Sequence, residues 1–206
     1  EKHISALAII GMLGISLMFL GGTRIRWIAS LGGLIAVAAC MLIIFFPYAF
    51  ARVDTWLNIE EADPLGSAWQ TLQGLMAIGS GGLFGKGLGN SQQKYGFVSQ
   101  PQNDFIFTIV CEEFGFIGAF GLLMIYTWII IVLFWAAKMC RNRFGQLICF
   151  GFMLNFFVYY FINISMVLGL LPTVGVPLPL MSFGGSSLLS LMFGFGLCQN
   201  SYIHKD

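Results

Sequence analysis

The stretch from Phe114 to Ala137 contains no charged side chain and consists mainly of aliphatic and aromatic residues. A helix needs about 20 consecutive, mostly apolar residues to cross the hydrocarbon core of a bilayer. The whole chain is 58% hydrophobic and only 9% charged, whereas soluble domains carry about 25% charged residues. Because so few charges could not cover a folded surface with polar groups, the sequence predicts an integral membrane protein.

Four further stretches are apolar over the length of a membrane span, or nearly so. Backbone polar groups without partners are too costly in hydrocarbon, so each stretch is predicted to be a helix and the fold to be all-α. The five predicted transmembrane helices cover residues 4–20, 27–46, 114–137, 147–168 and 187–198. They form one predicted transmembrane domain over residues 1–206, with a large extracytoplasmic loop at 47–104 and a second at 169–186.

The short loops between these spans indicate the orientation of the chain. Arg24 and Arg26 follow the first span, Arg141 and Arg143 follow the third, and Lys205 follows the fifth. Because successive spans alternate in direction, these loops lie on one side, which the positive-inside rule identifies as the cytoplasm. The formal net charge of +1 gives no basis for binding nucleic acid, which needs a strongly basic surface.

The second outer segment reads LPTVGVPLPLMSFGGSS at residues 171–187 and carries no charge. Its prolines forbid a regular helix, and an apolar, non-helical stretch at the membrane boundary is tolerated only against other protein. It is therefore predicted to be a re-entrant or partly buried loop whose hydroxyls and glycines are available to a substrate. The residues concerned are the supporting Pro172, Pro177 and Pro179 and the candidate substrate contacts Ser182, Gly184, Gly185 and Ser186.

The large outer loop contains two recognisable patterns. Residues 67–78 have apolar residues at helical spacing and are predicted to form a helix along the membrane interface. The sequence GSGGLFGKGLGNS at 79–91 lacks the first glycine and the Ser or Thr of a phosphate-binding loop, so it is predicted to be a flexible, turn-rich connector. Lys86 and Lys94 place positive charges on this face, where an anionic lipid headgroup could contact them.

Three carboxylates, Asp104, Glu112 and Glu113, stand near the start of the third span. On a straight helix Asp104 and Glu112 would be about 12 Å apart along the axis and roughly 80° apart around it. Paired glycosidase carboxylates stand about 5 to 9.5 Å apart, so this spacing disfavours an acid/base pair. Glu112 or Glu113 is therefore predicted to be structural, bound to a cation such as Arg52 or to backbone donors.

Spacing alone leaves two interpretations of Asp104 open. Asn103 or Asp104 ahead of an apolar helix is a standard N-cap, and Asp104 could equally be a functional acid. The neighbouring Phe105, Ile106 and Phe107 are expected to anchor Asp104 at the membrane surface.

Three segments closely resemble motifs of one protein family: GLFGKGLGNSQQK, PQNDFIFTIVCEEFGFIG and LPTVGVPLPLMSFGGSS, in this order along the chain. The family is that of the SEDS proteins (shape, elongation, division and sporulation), which includes FtsW and RodA. The resemblance implies that the chain is the C-terminal half of a longer multi-pass protein of the bacterial cytoplasmic (inner) membrane.

The resemblance also implies an activity, that of a glycosyltransferase which polymerises lipid II into peptidoglycan glycan strands during cell division or elongation. The implied partners are lipid II, a class B penicillin-binding protein and other divisome or elongasome proteins. The family's essential aspartate corresponds to Asp104, which is implied to act as general base or metal ligand. Gln102 and Asn103 lie beside it as candidate substrate contacts.

Such a reaction needs positive charge to offset the pyrophosphate leaving group. The candidates are Lys86, Lys94, Arg52 or a divalent cation such as Mg²⁺ or Mn²⁺. Two other functions are also compatible with the sequence: a flippase or transporter for the same lipid, and a non-catalytic scaffold for a penicillin-binding protein. The clustering of candidate reactive residues on one face favours the enzyme over the transporter.

Overall fold

The structure, a computed structural model, describes residues 4–45, 47–59, 68–91 and 103–203. Within these residues all regular secondary structure is helical, as predicted. The helices are α1 Ile4–Leu20, α2 Ile25–Phe45, α3 Pro47–Leu57, α4 Trp69–Gly81, α5 Ile106–Met139, α6 Arg143–Val167 and α7 Gly185–Ile203.

The five predicted spans correspond to α1, α2, α5, α6 and α7, with shifted ends. The third begins earlier than predicted, at Ile106, and the fifth extends further, to Ile203. By length and composition α5 and α6 can each cross a membrane, and shorter apolar helical segments occur at Leu7–Leu20 and Ile25–Ala38. Large apolar side chains on the apolar helices are exposed, for example Phe193 at 70%, as expected for a surface in contact with lipid.

Two helices lie within the predicted large outer loop. The helix predicted over residues 67–78 is present as α4. The helix α3 was not predicted, because its 11 residues are too few for a clear periodic pattern. It begins at Pro47, a residue type favoured at the first helical position. It is important for the site because it carries Arg52 and Trp56.

The chain divides into two compact units. The first comprises Glu1–Phe50, Ile129–Val158 and Leu189–Asp206, and the second comprises Ala51–Trp128 and Tyr159–Leu188. The basic loops predicted to be cytoplasmic belong to the first unit, and most of both predicted outer segments belongs to the second. The orientation and the single transmembrane domain both stay predictions.

In the first unit, aromatic rings pack α6 against α7. The rings of Phe152 and Phe156 make edge-to-face contacts with Phe195, at centroid distances of 4.9 and 6.0 Å. A Cβ at Gly194 would lie 2.1 Å from the Phe152 ring, so only glycine admits the ring at this position.

In the second unit, α5 is interrupted at Gly115, whose φ of 67° and ψ of −163° are non-helical. A positive φ of this kind is accessible to glycine and strained for other residues. The interruption leaves N–H and C=O groups without partners in the helix, and such groups need other partners when removed from water. From the sequence, residues 105–111 could either continue the helix or form a separate turn. The structure shows neither, because the helix begins at Ile106 and is interrupted later, at Gly115.

The missing partners are supplied by residues 82–91, which we call the glycine loop. This loop follows α4 and forms backbone hydrogen bonds with α5 on both sides of the break. Lys86 and Gly87 donate to the carbonyls of Glu112 and Glu113 at 2.9 and 3.0 Å, and Phe116 and Ile117 donate to those of Gly82 and Leu83 at 2.9 and 3.2 Å.

Glycine is required for this backbone contact. A Cβ at Gly81 would lie 2.0 Å from the carbonyl oxygen of Cys111, and one at Gly85 would lie 2.2 Å from that of Glu113. The turns predicted for residues 79–91 are present after Gly81, but the backbone hydrogen bonds to α5 do not fit a flexible connector. The glycines of this segment permit close approach to α5, and its backbone is hydrogen-bonded there.

Candidate active site

Asp104 lies in a turn, residues 103–105, that directly precedes α5. The two aromatic residues that follow it are buried in the protein, with Phe105 and Phe107 each 3% exposed. The ring of Phe105 packs against α4, where a Cβ at Gly74 would lie 3.4 Å from it. The expectation that these residues anchor Asp104 in the membrane surface is therefore wrong, since they fix the turn to the protein's own core.

The N-cap interpretation of Asp104 does not fit this geometry. Because α5 begins at Ile106, Phe105 is the residue just ahead of the helix, and its carbonyl accepts hydrogen bonds from the Thr108 amide at 3.0 Å and hydroxyl at 2.7 Å. Within the described residues, the Asp104 carboxylate accepts no hydrogen bond from the first turn of α5. Capping therefore does not explain an aspartate at this position.

The Asp104 carboxylate is partly buried and lies near a positive charge. Burial raises the pKa of Asp104 above its ordinary value, and the positive charge of Arg52 opposes this rise. A carboxylate with a raised pKa is a stronger base once it is ionised, which suits general base catalysis. Arg52 itself is held in place by α3 and donates from Nη1 to the carbonyl of Thr173 at 2.6 Å.

Thr173 belongs to the non-helical segment between α6 and α7, residues 168–184, which we call the proline loop. As predicted for this segment, it is partly buried, with Val176 at 3% and Leu178 at 1% exposure. Side-chain donors from three helices satisfy its backbone carbonyls, which makes a non-helical apolar segment tolerable. The pairs are Trp56 with Gly169 at 2.9 Å, Arg52 with Thr173 at 2.6 Å, Asn163 with Val176 at 2.6 Å, and Tyr126 with Pro179.

The proline loop lies directly against Asp104. A Cβ at Gly175 would be 3.4 Å from Asp104 Oδ2, and Gly175 has a φ of +63°. Leu180, also in this loop, has a φ of 65°, a conformation that is strained for a residue with a side chain and that often occurs at functional sites.

The residues predicted to contact substrate in this region have different surroundings. Ser182 Oγ donates to the carbonyl of Asn103 at 2.5 Å and accepts from the Leu178 amide at 2.7 Å, so its hydroxyl links the loop to the Asp104 turn. A Cβ at Gly184 would lie 2.7 Å from Ser187 Oγ, whereas one at Gly185 would have no neighbour within 4 Å.

The remaining predicted residues make other contacts or lie outside the described residues. Lys86 Nζ lies 2.7 Å from Glu112 Oε1, so the cation beside Glu112 is Lys86 rather than Arg52. The Glu113 carboxylate accepts from the Ser91 amide at 3.4 Å. Pro172, Pro177 and Pro179 lie in the proline loop and Ser186 in the first turn of α7, while Lys94 and Gln102 lie outside the described residues.

A metal site needs several ligand side chains close together. The described residues contain no group of three His, Cys, Asp or Glu side chains that could hold a metal ion. Among the described residues, the Asp104 carboxylate therefore has no second and third ligand with which to form a metal site.

Three side chains of this site were missed from the sequence: Trp56, Tyr126 and Asn163. Asn163 carried a usable signal, since a carboxamide within an apolar span is expensive and usually functional. Trp56 and Tyr126 carried none, because aromatic residues at membrane boundaries and in apolar helices are common for packing reasons alone.

Comparison with known proteins identifies the family to which the chain belongs. Residues 1–206 match the FtsW/RodA/SpoVE family, described as cell cycle proteins. The chain belongs to this family. Among FtsW/RodA/SpoVE relatives, it is 39% identical over 207 residues to the peptidoglycan glycosyltransferase MrdB of Escherichia coli K12, covering 100% of this chain and 56% of that protein. It is 39% identical over 191 residues to stage V sporulation protein E of Bacillus subtilis, covering 90% and 50%.

Two solved structures have a similar fold. One, titled as a peptidoglycan synthase complex that coordinates polymerization and crosslinking, matches with a TM-score of 0.75 and 26% identity, covering 100% of this chain and 57% of that one. A mutant of the Thermus thermophilus rod shape determining protein RodA matches with a TM-score of 0.50 and 32% identity, covering 65% and 40%. The present chain thus spans about half the length of its curated relatives.

Proposed function

We propose that this chain carries the catalytic aspartate of a peptidoglycan glycosyltransferase that polymerises lipid II into glycan strands. The observation that supports this most strongly is the environment of Asp104, a partly buried carboxylate with a raised pKa beside Arg52 and Gly175. Family membership supports the same reaction, since MrdB relatives are named peptidoglycan glycosyltransferases.

In the proposed reaction Asp104 is the general base. The oxygen of an acceptor sugar hydroxyl forms a bond to the anomeric carbon of the donor, and the bond from that carbon to the lipid pyrophosphate breaks. The hydroxyl proton passes to the Asp104 carboxylate, and the pyrophosphate leaves with the electron pair. A base that is positioned in this way typically increases the rate by about 10²–10⁴-fold.

Arg52 is the best-supported cation for the pyrophosphate. Its charge acts on Asp104, and a guanidinium has five N–H donors in a planar fork suited to phosphate. Lys86 is less well placed for this role, because it is already paired with the buried Glu112. Lys94, Asn103, Gln102, Gly184, Gly185 and Ser186 stay predicted substrate contacts.

The proposal includes the setting of the reaction. The chain would cross the bacterial inner membrane five times, with the Asp104 turn and the proline loop on the outer face. It would act with a class B penicillin-binding protein, in agreement with the peptidoglycan synthase complex that has a similar fold. Other divisome or elongasome proteins would be further partners.

The decisive experiment is lipid II polymerisation by the complete gene product with its penicillin-binding partner, comparing wild type and Asp104→Asn. The amide has nearly the same size but cannot accept the proton, so polymerisation should fall about 10²–10⁴-fold per folded protein. Translocation of fluorescent lipid II without polymer would indicate a transporter instead. A wild-type rate for Asp104→Asn would refute the role of Asp104 as base.

A further inference from the structure

Asn163 is a polar residue in the apolar helix α6, and its side chain is fully buried at 0% exposure. Its Nδ2 donates to the carbonyl of Asp104 at 2.8 Å and to the carbonyl of Val176 at 2.6 Å. A carboxamide nitrogen has two hydrogens, so both are used. The amide orientation is thereby fixed, because the reverse orientation would set an oxygen against two carbonyl oxygens.

These two bonds join the two segments that form the candidate active site. Asp104 lies in the turn before α5, and Val176 lies in the proline loop, next to the Gly175 that packs against the Asp104 carboxylate. Ser182 makes a second link between the same segments, through the carbonyl of Asn103. The Asp104 turn is therefore attached to the proline loop through its two neighbouring carbonyls, those of Asn103 and Asp104.

The Asn163 side chain is not fully satisfied in this position. Its Oδ1 is buried and has no hydrogen-bond partner among the described residues. A buried polar atom without a partner is unfavourable, and such atoms in native proteins call for an explanation. A residue that only stabilises the fold would not be expected to leave this oxygen unpaired. A requirement for two N–H donors, one for each of the Asp104 and Val176 carbonyls, explains why an asparagine is present.

We propose that Asn163 is a positioning residue, which sets where the Asp104 carboxylate lies relative to Gly175 and Arg52 by holding the Asp104 and Val176 carbonyls together. The proposal rests on the function proposed above. Asn163 acts through Asp104 and need not touch the substrate itself.

The position of the carboxylate can be followed through its titration. Arg52 of α3 is the charged side chain that acts on it, and neither the proline loop nor the part of α6 after Arg143 contains an acidic or basic residue. On α5, Glu112 and Glu113 are engaged with the glycine loop. If the turn moved outward, water would reach the carboxylate and the pKa of Asp104 would fall towards its ordinary value.

The test replaces Asn163 by a side chain of similar volume that forms no hydrogen bonds. In the complete gene product with its penicillin-binding partner, lipid II polymerisation is measured against pH and normalised to folded protein. Asn163→Leu should lower the rate at the optimum about tenfold or more, since small displacements of a catalytic group have effects of this size. It should also move the acidic limb of the profile to lower pH.

The matched control is Asn155→Leu, on the same helix. Asn155 also has a buried side-chain oxygen without a partner among the described residues, but it lies two turns before Asn163 on α6, about 12 Å along the helix axis. This variant should keep the wild-type rate and acidic limb. If Asn163→Leu does not fold, Asn163→Gln retains both amide hydrogens on a longer side chain and should still shift the limb.

Two outcomes would overturn the positioning role alone. These are a wild-type rate and profile for Asn163→Leu, or a lower rate with an unmoved acidic limb. If Asn163→Leu does not fold, a wild-type rate and profile for Asn163→Gln would overturn it instead. Failure of the proposed function is read separately, from Asp104→Asn in the same assay. A wild-type rate for that variant would overturn both proposals.

Discussion

Lys86 and Glu112, 26 residues apart in sequence, form an ion pair in which Nζ lies 2.7 Å from Oε1. The Glu112 side chain is only 1% exposed, whereas that of Lys86 is 31% exposed. Ser91 Oγ donates to the other carboxylate oxygen at 2.6 Å. Since Glu112 lies just before the break at Gly115, these contacts attach the glycine loop to α5 where the helix is interrupted.

Removing the cation should destabilise the protein strongly. Lys86→Met removes the cation paired with a buried carboxylate, and removing one partner of a buried pair typically costs about 3 kcal/mol or more. The double variant Lys86→Met/Glu112→Leu removes both charges and should recover much of that stability. Thermal unfolding in detergent would measure both, with Lys138→Met, at an exposed lysine of α5, as the control. A double variant no more stable than Lys86→Met would contradict a charge-pairing role.

A second prediction concerns the close contact between α4 and α5. Gly81→Ala places a Cβ 2.0 Å from the Cys111 carbonyl oxygen, so the backbones must separate, at a cost of about 3 kcal/mol by analogy with overpacked cores. Gly79→Ala is the matched control on the same helix, with no atom within 4 Å of the new Cβ. It should be neutral or stabilising by up to about 1 kcal/mol. Equal unfolding temperatures for the two variants would contradict the contact.

These two relationships illustrate which parts of the fold the sequence could predict. The apolar runs identified the helices, because a span depends on composition within one continuous segment. The glycine loop was misassigned, because its hydrogen bonds depend on the break at Gly115, some 30 residues further along the chain, which leaves no local pattern. The pairing of Glu112 with Lys86 rather than Arg52 is likewise a property of the folded backbone.

The candidate site divides in the same way. The family motif located Asp104, and the prolines and missing charge predicted a partly buried loop after α6. The donors that hold this loop, such as Asn163 and Tyr126, lie on helices whose sequences are mostly apolar, and of these two only Asn163 stands out there as a polar residue. Their function depends on the direction of a side chain towards a particular carbonyl, and sequence periodicity does not contain that information.

The orientation of the chain can be tested by labelling. Of the five cysteines, only Cys40 is exposed, so Cys40→Ser gives a background with low reactivity. Leu88→Cys in the glycine loop and Phe144→Cys at the start of α6 replace side chains that are 77% and 70% exposed. An impermeant maleimide should label Leu88→Cys in intact cells and Phe144→Cys only after the membrane is opened. Labelling of both in intact cells would show that the topology is wrong.

The partly buried position of Asp104 also affects the stability of the fold. Burial raises the pKa of Asp104, and Arg52 opposes this without reversing it. The folded state therefore keeps this proton to a higher pH than the unfolded state. Between the two pKa values the folded state binds more protons, so the contribution of Asp104 to stability falls as the pH rises through this window.

Asp104→Asn removes this cost, because an amide is neutral at every pH. We expect the variant to unfold at a higher temperature than wild type at pH 7.5, and the difference to shrink as the pH falls through the window. Thermal unfolding of both proteins in detergent across that range measures it. A variant that is less stable at neutral pH and equal to wild type in acid would mean that Arg52 outweighs burial. If Asp104→Asn is more stable than wild type and no longer polymerises lipid II, Asp104 is required for the reaction although it lowers the stability of the folded protein.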